Sequence, residues 1–175
     1  MIDIETMGTV PGSAVLSIGA YNLETQGTFY AVIDLASCFQ HRLSVDASTL
    51  EWWLKQKPEA QTIFTSKNKL HLAEALQQFS SWLPDKSVCQ PWGNCCMFDC
   101  VLLESAYRAC KMPCPWNYTK CRSYRTAKDM IPGIKGLNYG VAHNAKDDAV
   151  KQGLHLAAIL NHLSGKRSYA TELRN

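Results

Sequence analysis

The sequence predicts an α/β fold in which helices pack on a central β-sheet. Three short segments rich in β-forming residues open the chain, and the later segments alternate between helical and strand patterns. The length of 175 residues suits one compact domain that can bury its own core. We therefore expect a single domain over residues 1–165 and a polar C-terminal tail over residues 166–175.

The three opening segments are the predicted strands of an antiparallel meander. The first runs from Met1 to Glu5, the second from Ala14 to Tyr21 and the third from Thr28 to Ile33. Each segment is short and is bounded by Gly, Pro or polar residues that favour turns. Strands that follow one another in sequence usually lie side by side, so we expect these three to pair in order.

Helices in the middle of the chain are predicted from apolar spacing and from helix-ending residues. The segment from Ser48 to Lys57 has a helical pattern that is expected to end at Pro58. A longer amphipathic helix is predicted from Lys69 to Leu83, with these apolar residues at helical spacing: Leu70, Ala73, Leu76, Phe79 and Leu83.

The second half begins with a predicted strand around Val88 to Trp92 and a helix from about Phe98 to Cys110. That helix can face the core with one side, which carries Val101, Leu102, Ser105 and Ala106. Region 113–132 lacks periodicity, and we expect a loop with a short helix near Thr126–Met130. A final helix is predicted from Ala145 to Leu163, whose neighbouring turns carry Val150, Leu154, Ala157 and either Leu160 or Asn161.

Composition narrows the class of protein. Hydrophobic residues make up 46% and charged residues 19%, as in folded soluble domains. No segment approaches the run of ~20 apolar residues that a membrane helix needs.

Acidic residues at the start of the sequence argue against a signal peptide, so we expect a cytoplasmic protein with no membrane partner. The net charge of +3 is compatible with a polyanionic ligand and by itself decides nothing.

Eight cysteines raise the question of disulfides or bound zinc. Without an export signal we expect reduced thiols. The second half contains no CxxC pair and no Cys/His quartet of the usual zinc form among its closely spaced cysteines, which are Cys95, Cys96, Cys100, Cys110, Cys114 and Cys121. A zinc-stabilised interaction protein stays open as an alternative.

Asp3 and Glu5 are the first candidate site residues. They lie two apart in a predicted strand, so both side chains point to one face. Two carboxylates this close repel unless a cation neutralises them, which favours a hard divalent cation with oxygen ligands. Taken alone, the pair could also be an ordinary exposed Asp-x-Glu on a strand edge.

Later acidic residues fall near the starts of predicted helices. Asp99 opens a helix, a position where a carboxylate is favoured simply by the helix dipole. At the last helix, Asn144 fits as the N-cap, so Asp147 is the third helical residue and is expected to reach back to the cap. Asp148 is then free to face the sheet, and His143 precedes the helix in a loop.

The order of these pieces resembles the three exonuclease motifs of the DEDDh family of the ribonuclease-H-like superfamily. The motifs are Asp3-x-Glu5-Thr6, Phe98-Asp99 and His143-x-Ala145-x2-Asp148. The chain looks most like small bacterial and phage or prophage exonucleases grouped with a mycobacterial 3′-5′ exoribonuclease and with exodeoxyribonuclease VIII-like proteins. The segments that carry this likeness are Asp3-Ile4-Glu5-Thr6-Met7-Gly8-Thr9, Trp52-Trp53-Leu54, Trp92-Gly93-Asn94 and Val141-Ala142-His143-Asn144-Ala145.

Two positions bear on this resemblance. The family's first strand usually has several apolar residues before its Asp, whereas only Met1 and Ile2 precede Asp3 here. The tyrosine branch of the superfamily places Tyr four residues before the last Asp. That position is Asn144, so the histidine branch fits better.

The resemblance implies a ribonuclease-H-like mixed sheet, an antiparallel meander plus parallel strands, flanked by helices. It also implies hydrolysis of phosphodiester bonds with two divalent cations, Mg²⁺ or Mn²⁺. Asp3, Glu5 and Asp148 would hold one ion, while Asp3 bridges to a second ion that Asp99 supports directly or through water. His143 would take the proton of the attacking water, since imidazole gains and loses a proton near neutral pH.

The substrate implied is the 3′ end of single-stranded DNA or RNA, which would be cut to nucleoside 5′-monophosphates. The candidate substrate contacts next to the motifs are Thr6, Met7, Gly8, Asn94 and Phe98. Further aromatic and cationic contacts could come from Trp52, Trp53, Trp116, Tyr118, Tyr124, Lys120, Arg122 and Arg125, although paired tryptophans are commonly core residues. A homodimer is possible.

The main alternative is a catalytically inactive ribonuclease-H-like domain that binds nucleic acid or protein. The presence of all five motif residues counts against it, because a binding module does not need them. The choice between DNA and RNA stays open, since it depends on contacts near the 2′ position.

Overall fold

A six-stranded mixed sheet forms the centre of the computed structural model, which describes residues 1–165. Its strands are β1 (Ile2–Thr6), β2 (Val15–Tyr21), β3 (Thr28–Ile33), β4 (Lys69–Leu70), β5 (Trp92–Gly93) and β6 (Arg122–Ser123), in the spatial order β4-β3-β2-β1-β5-β6. The first three strands pair antiparallel, and β4, β5 and β6 add in parallel. This confirms the predicted α/β, ribonuclease-H-like sheet.

Helices flank this sheet. Within residues 1–165 they are α1 (Leu35–Gln40), α2 (Ala47–Leu54), α3 (Pro58–Thr65), α4 (Leu72–Trp82), α5 (Asp99–Ala109), α6 (Tyr124–Met130) and α7 (Ala145–Leu163). The long helix α7 lies across β1, β2 and β3, whereas α4 packs on β3 and α5 on β1 and β2. No helix in this part of the chain is both long and apolar enough to cross a membrane.

Alternation along β1 separates the core from a polar face. Ile2 and Ile4 are buried in the larger apolar cluster, together with side chains of β2, α4 and α5. Asp3 and Glu5, between and beyond them, point to the opposite face, as a period of two requires. A smaller apolar cluster joins α6 and α7 to the start of β1.

Gly19 on β2 lets the start of α7 approach the sheet closely. A Cβ at this position would lie 2.1 Å from the carbonyl carbon of Ala145, the first residue of α7. Gly19 is also the β2 partner of Asp3. The close approach therefore brings the first turn of α7 over the acidic face of β1.

Several predicted boundaries were wrong. The helix predicted from Ser48 to Lys57 is α2, which ends earlier, at Leu54. Pro58 begins α3, because proline is well accommodated in the first turn of a helix. Lys69–Leu70 pairs with β3 as β4, and His71 then caps α4, which begins at Leu72. The strand expected around Val88 is β5, shifted to Trp92–Gly93. Helix α1 and strand β6 were not predicted.

Helix α7 has the predicted bounds, but its buried face differs from the expected one. Val150 is buried as expected, whereas Leu154, Ala157 and Leu160 are only partly buried. The buried positions include the polar Gln152 and His155, which an apolar pattern cannot detect. Helix α5 shows the same kind of shift, with Val101 and Ser105 partly exposed and Leu103 and Tyr107 in the core. The predicted tail, residues 166–175, lies outside the described residues.

Candidate functional site

Three carboxylates from distant parts of the chain meet on the polar face of the sheet. Asp3 and Glu5 come from β1 and Asp148 from the first turn of α7. Each offers an oxygen, and these oxygens lie within 4.8 Å of one another. A cluster of oxygen donors at this spacing suits a hard divalent cation such as Mg²⁺ or Mn²⁺.

Asp99 lies in the same cavity but outside this group of three. It opens α5, is 2% exposed, and accepts a 3.2 Å hydrogen bond from the backbone N–H of Cys95. Gly93 of β5 makes room for it, since a Cβ there would lie 2.7 Å from a carboxylate oxygen of Asp99. The cavity of about 290 Å³ is lined by all five predicted catalytic residues and by Asn94, Phe98, Arg125 and Gln152, among others.

Burial and mutual repulsion raise the pKa values of these acids. Burial raises the pKa of Asp3 well above its usual range, the neighbouring acids raise it further, and a hydrogen bond from Gln152 offsets part of this. Burial, followed by the charges of Asp148 and Asp99, raises the pKa of Glu5 to about 8. Burial raises the pKa of Asp99 to about 7 against the lowering effect of backbone N–H groups. Such a site favours a bound cation, because a cation stabilises the ionised carboxylates.

His143 lies at the rim of the cavity, directly before the N-cap of α7. Its backbone is left-handed, with φ of 62°, and its N–H donates a 2.8 Å hydrogen bond to a carboxylate oxygen of Asp148. The ring lies edge-on to Trp52, with centroids 4.9 Å apart. The backbone and ring of His143 are therefore held by different contacts. Backbone strain of this kind is found more often at functional sites than elsewhere.

The start of α7 confirms one capping prediction and corrects another. Asn144 is the N-cap, and its side chain accepts from the backbone N–H groups of Lys146 and Asp147. Asp147 was expected to accept from the N–H of Asn144. It accepts instead from the N–H of Val141 at 2.9 Å, because the Asn144 N–H already donates to the Val141 carbonyl. Asp147 thus fastens the preceding loop, and its carboxylate does not join the acidic cluster.

Of the predicted substrate contacts, Thr6, Asn94 and Phe98 line cavities at the site. Thr6 and Phe98 border a second cavity of about 370 Å³, which also includes Trp52. Met7, another candidate substrate contact, is 2% exposed and belongs to the apolar core. Gly8 is also buried, and a Cβ there would lie 2.4 Å from the hydroxyl of Ser13.

The aromatic candidates divide into core and surface. Trp53 is buried and donates through Nε1 to the carbonyl of Thr6 at 2.9 Å, and Trp116 is also buried. Trp52 is 41% exposed and lies at the cavity rim. Among the basic candidates, Arg125 lines the acidic cavity. Sequence reasoning missed Gln152, although its spacing of four residues from Asp148 placed both on one helix face.

The cysteines take no part in this cluster. All eight are free thiols. Within residues 1–165, the group formed by Asp3, Glu5 and Asp148 is the one set of three potential ligands whose donor atoms lie so close together. No cysteine-built zinc site of the alternative kind is therefore present in this part of the chain.

Comparison with known proteins places the chain in a family. The sequence model of the 3′-5′ exoribonuclease Rv2179c-like domain matches residues 1–160, a range that contains all five candidate catalytic residues. The chain belongs to this family. A curated relative, the exodeoxyribonuclease of Enterobacteria phage T4, is 28% identical over an alignment covering 98% of this chain and 93% of the relative. As a member of this exonuclease family, the protein is a 3′-5′ exonuclease and thus a hydrolase.

Proposed function

We propose that the protein hydrolyses single strands from the 3′ end with two divalent cations, Mg²⁺ or Mn²⁺, and with His143 as general base, as DEDDh exonucleases do. The observation that carries this proposal is the convergence of carboxylate oxygens from Asp3, Glu5 and Asp148 within 4.8 Å of one another. His143 lies beside them, because its backbone N–H donates a hydrogen bond to Asp148. The products are nucleoside 5′-monophosphates.

The donor set fits the proposed cations. Asp3, Glu5 and Asp148 would hold one, and Asp3 together with Asp99 would hold the other. All ligands are carboxylates, which favours Mg²⁺ or Mn²⁺ over zinc. When bound, the two cations neutralise charge that develops on the attacking and leaving oxygens of the phosphodiester. The raised pKa values of Asp3, Glu5 and Asp99 support this assignment, because burial of all three, together with repulsion from neighbouring acids at Asp3 and Glu5, disfavours the ionised carboxylates until a cation stabilises them.

His143 would accept the proton of the attacking water. Trp52 limits rotation of its ring, and the hydrogen bond to Asp148 holds its backbone beside the acids. A general base has to be held within hydrogen-bonding reach of the water from which it takes the proton. These two contacts supply that restraint.

The rim of the cavity offers contacts for an unpaired strand. The exposed face of Trp52 can stack on a base, and the cationic side chain of Arg125 can pair with a backbone phosphate. The family is described by exoribonuclease activity and the phage relative by exodeoxyribonuclease activity. We therefore propose both single-stranded RNA and single-stranded DNA as substrates, and the assay compares them.

The test uses 5′-labelled DNA and RNA oligonucleotides of the same sequence, incubated with Mn²⁺, Mg²⁺ or EDTA. We expect products that shorten from the 3′ end, release of nucleoside 5′-monophosphates, no reaction in EDTA, and no cleavage of a circular single strand. Asp3→Asn and Glu5→Gln should be nearly inactive. Glu59→Gln on the exposed surface of α3 is the matched control and should keep wild-type activity.

Activity that survives EDTA or Asp3→Asn would show that the cation assignment is wrong. Binding of single strands without any cleavage would instead favour the inactive binding module.

A further inference from the structure

Gln152 joins α7 to the acidic site. It follows Asp148 by four residues, so both side chains lie on the same face of the helix. The side chain is 9% exposed, and its Nε2 donates a 2.9 Å hydrogen bond to Oδ1 of Asp3, 149 residues away in sequence. Its other polar atom, Oε1, is buried and has no hydrogen-bond partner among residues 1–165.

The unpaired oxygen indicates that Gln152 does more than fill space. A buried carbonyl oxygen without a partner destabilises the folded state, and most buried polar groups avoid this condition. A methionine or leucine would fill a similar volume on α7 without that cost. The feature that Gln152 adds and they lack is the N–H group directed at Asp3.

An amide is well suited to orient a carboxylate that binds cations. Lysine or arginine at the same place would hold Asp3 equally firmly, but its positive charge would compete with the cation. The neutral amide donates a hydrogen bond to one oxygen and fixes the rotation of the carboxylate without adding charge. Groups that hold metal ligands in this way commonly change metal affinity or activity about 10–100-fold when they are removed.

We propose that Gln152 is a positioning residue, which orients the Asp3 carboxylate for the divalent cations and thereby sets their affinity. This inference rests on the proposed function, because it assumes that Asp3 binds cations. It concerns a residue outside the five motif positions, and it makes a prediction about binding that can be measured without substrate.

The test compares Mn²⁺ binding by wild type and Gln152→Met, measured by titration calorimetry and by the increase in melting temperature with Mn²⁺ concentration. Methionine keeps the length and volume but donates no hydrogen bond. We expect Mn²⁺ affinity to fall about tenfold or more. The metal-free melting temperature should change little, since the variant removes the unpaired oxygen but also leaves Asp3 Oδ1 without its hydrogen bond. Activity should recover in part at high Mn²⁺ concentration.

Two further variants keep the test decisive. Ile159→Val removes a buried methylene from the same helix, away from Asp3, and should lower stability while leaving Mn²⁺ affinity unchanged. Gln152→Leu repeats the comparison if the methionine variant does not fold. Wild-type Mn²⁺ affinity in a folded Gln152→Met or Gln152→Leu overturns the inference.

Asp3→Asn separates this inference from the proposed function. If Asp3→Asn loses Mn²⁺ binding while Gln152→Met retains it, only the role of Gln152 is wrong. If Asp3→Asn also binds Mn²⁺ as wild type does, the cation site itself is wrong.

Discussion

His143 shows how backbone and side chain can serve the site separately. Its N–H, which any residue could supply, donates to Asp148, while its ring lies against Trp52. His143→Ala should therefore keep Mn²⁺ binding but lower turnover by about 10²–10⁴-fold, the usual effect of losing a general base. The pH–rate profile should lose its acidic limb. A variant that keeps this limb would show that another group accepts the proton.

The left-handed backbone of His143 requires a control for this variant. Asn adopts positive φ more readily than most residues, so His143→Asn should preserve the turn while removing the base. We expect His143→Asn to be as inactive as His143→Ala. His162→Ala, an exposed change at the far end of α7, should leave turnover unchanged.

Asp147 and Asp148 are adjacent and chemically identical, but their hydrogen bonds differ. Asp147 holds the loop at Val141, whereas Asp148 faces Asp3 and Glu5. Asp147→Asn should cost about 1 kcal/mol or less and keep most of the activity, because the amide oxygen of Asn can still accept from the Val141 N–H and only the charge at the helix start is lost. Asp148→Asn should keep or raise the metal-free melting temperature, since it removes a partly buried charge that repels Asp3 and Glu5. It should also abolish turnover and the stabilisation by Mn²⁺.

Melting temperatures with and without Mn²⁺, measured beside nuclease activity, distinguish the two variants. An inactive Asp147→Asn together with an active Asp148→Asn would reverse the assignment of the two acids.

Strands and helices with enough residues to show a pattern could be predicted from the sequence. Helix α7 has its predicted bounds, and β1, β2 and β3 have nearly theirs. Strands β4 and β6 have two residues each, too few for an alternating pattern, and are defined by pairing with a neighbour. Helix α3, which begins at Pro58, was not predicted, because proline both ends helices and begins them.

The candidate site could be predicted only where motifs mark it. Asp3, Glu5, Asp99, His143 and Asp148 were named from their order and spacing, and all five line one cavity. Gln152 could not be ranked, because an apolar pattern treats a buried polar residue as an exposed one. His155 was missed for the same reason. Its Nδ1 shares a 2.7 Å hydrogen bond with the Tyr124 hydroxyl, and its Nε2 donates a hydrogen bond to the Ile134 carbonyl. These two bonds tie α6 and the loop that follows it to α7.

Docking of α7 on β2 depends on Gly19, which leads to a prediction about the site. A methyl group at this position would overlap the backbone of Ala145, so α7 must shift. Gly19→Ala should cost about 1–3 kcal/mol or more, as overpacking does. It should also weaken Mn²⁺ binding, because Asp148 moves with the first turn of α7. Gly133→Ala, which meets no atom within 4 Å, is the matched control. Wild-type Mn²⁺ affinity in Gly19→Ala would show that the site tolerates movement of α7.

Across the molecule, the larger apolar cluster lies on one face of the sheet, whereas the acids lie on the face that α7 covers, beside the smaller apolar cluster. The apolar cluster on one side of β1 gains from burial, while the acids on the other side repel one another without a cation. The free energy of unfolding of the metal-free protein should therefore respond to pH through this site, opposed in part by the buried amine of Met1.

The direction of that response follows from the raised pKa values. Glu5 rises from 4.5 to about 8 and Asp99 from 3.8 to about 7 on folding. The pKa of Asp3 is raised as well, so between these limits three acids hold protons on folding while the single buried Met1 amine, whose pKa burial lowers from 8.0 to about 5, loses one. The folded protein therefore binds more protons than the unfolded chain, and the free energy of unfolding falls as pH rises. The metal-free melting temperature should thus decrease from about pH 5 to pH 8, and added Mn²⁺ should reverse the loss at pH 8.

Glu5→Gln should show a smaller decrease in metal-free melting temperature over this pH range, because it removes one titrating group. Thermal melts in EDTA and in Mn²⁺ across this range provide the measurement. A metal-free melting temperature that rises toward pH 8, or a slope that Glu5→Gln leaves unchanged, would contradict the assignment of repelling buried acids to this face.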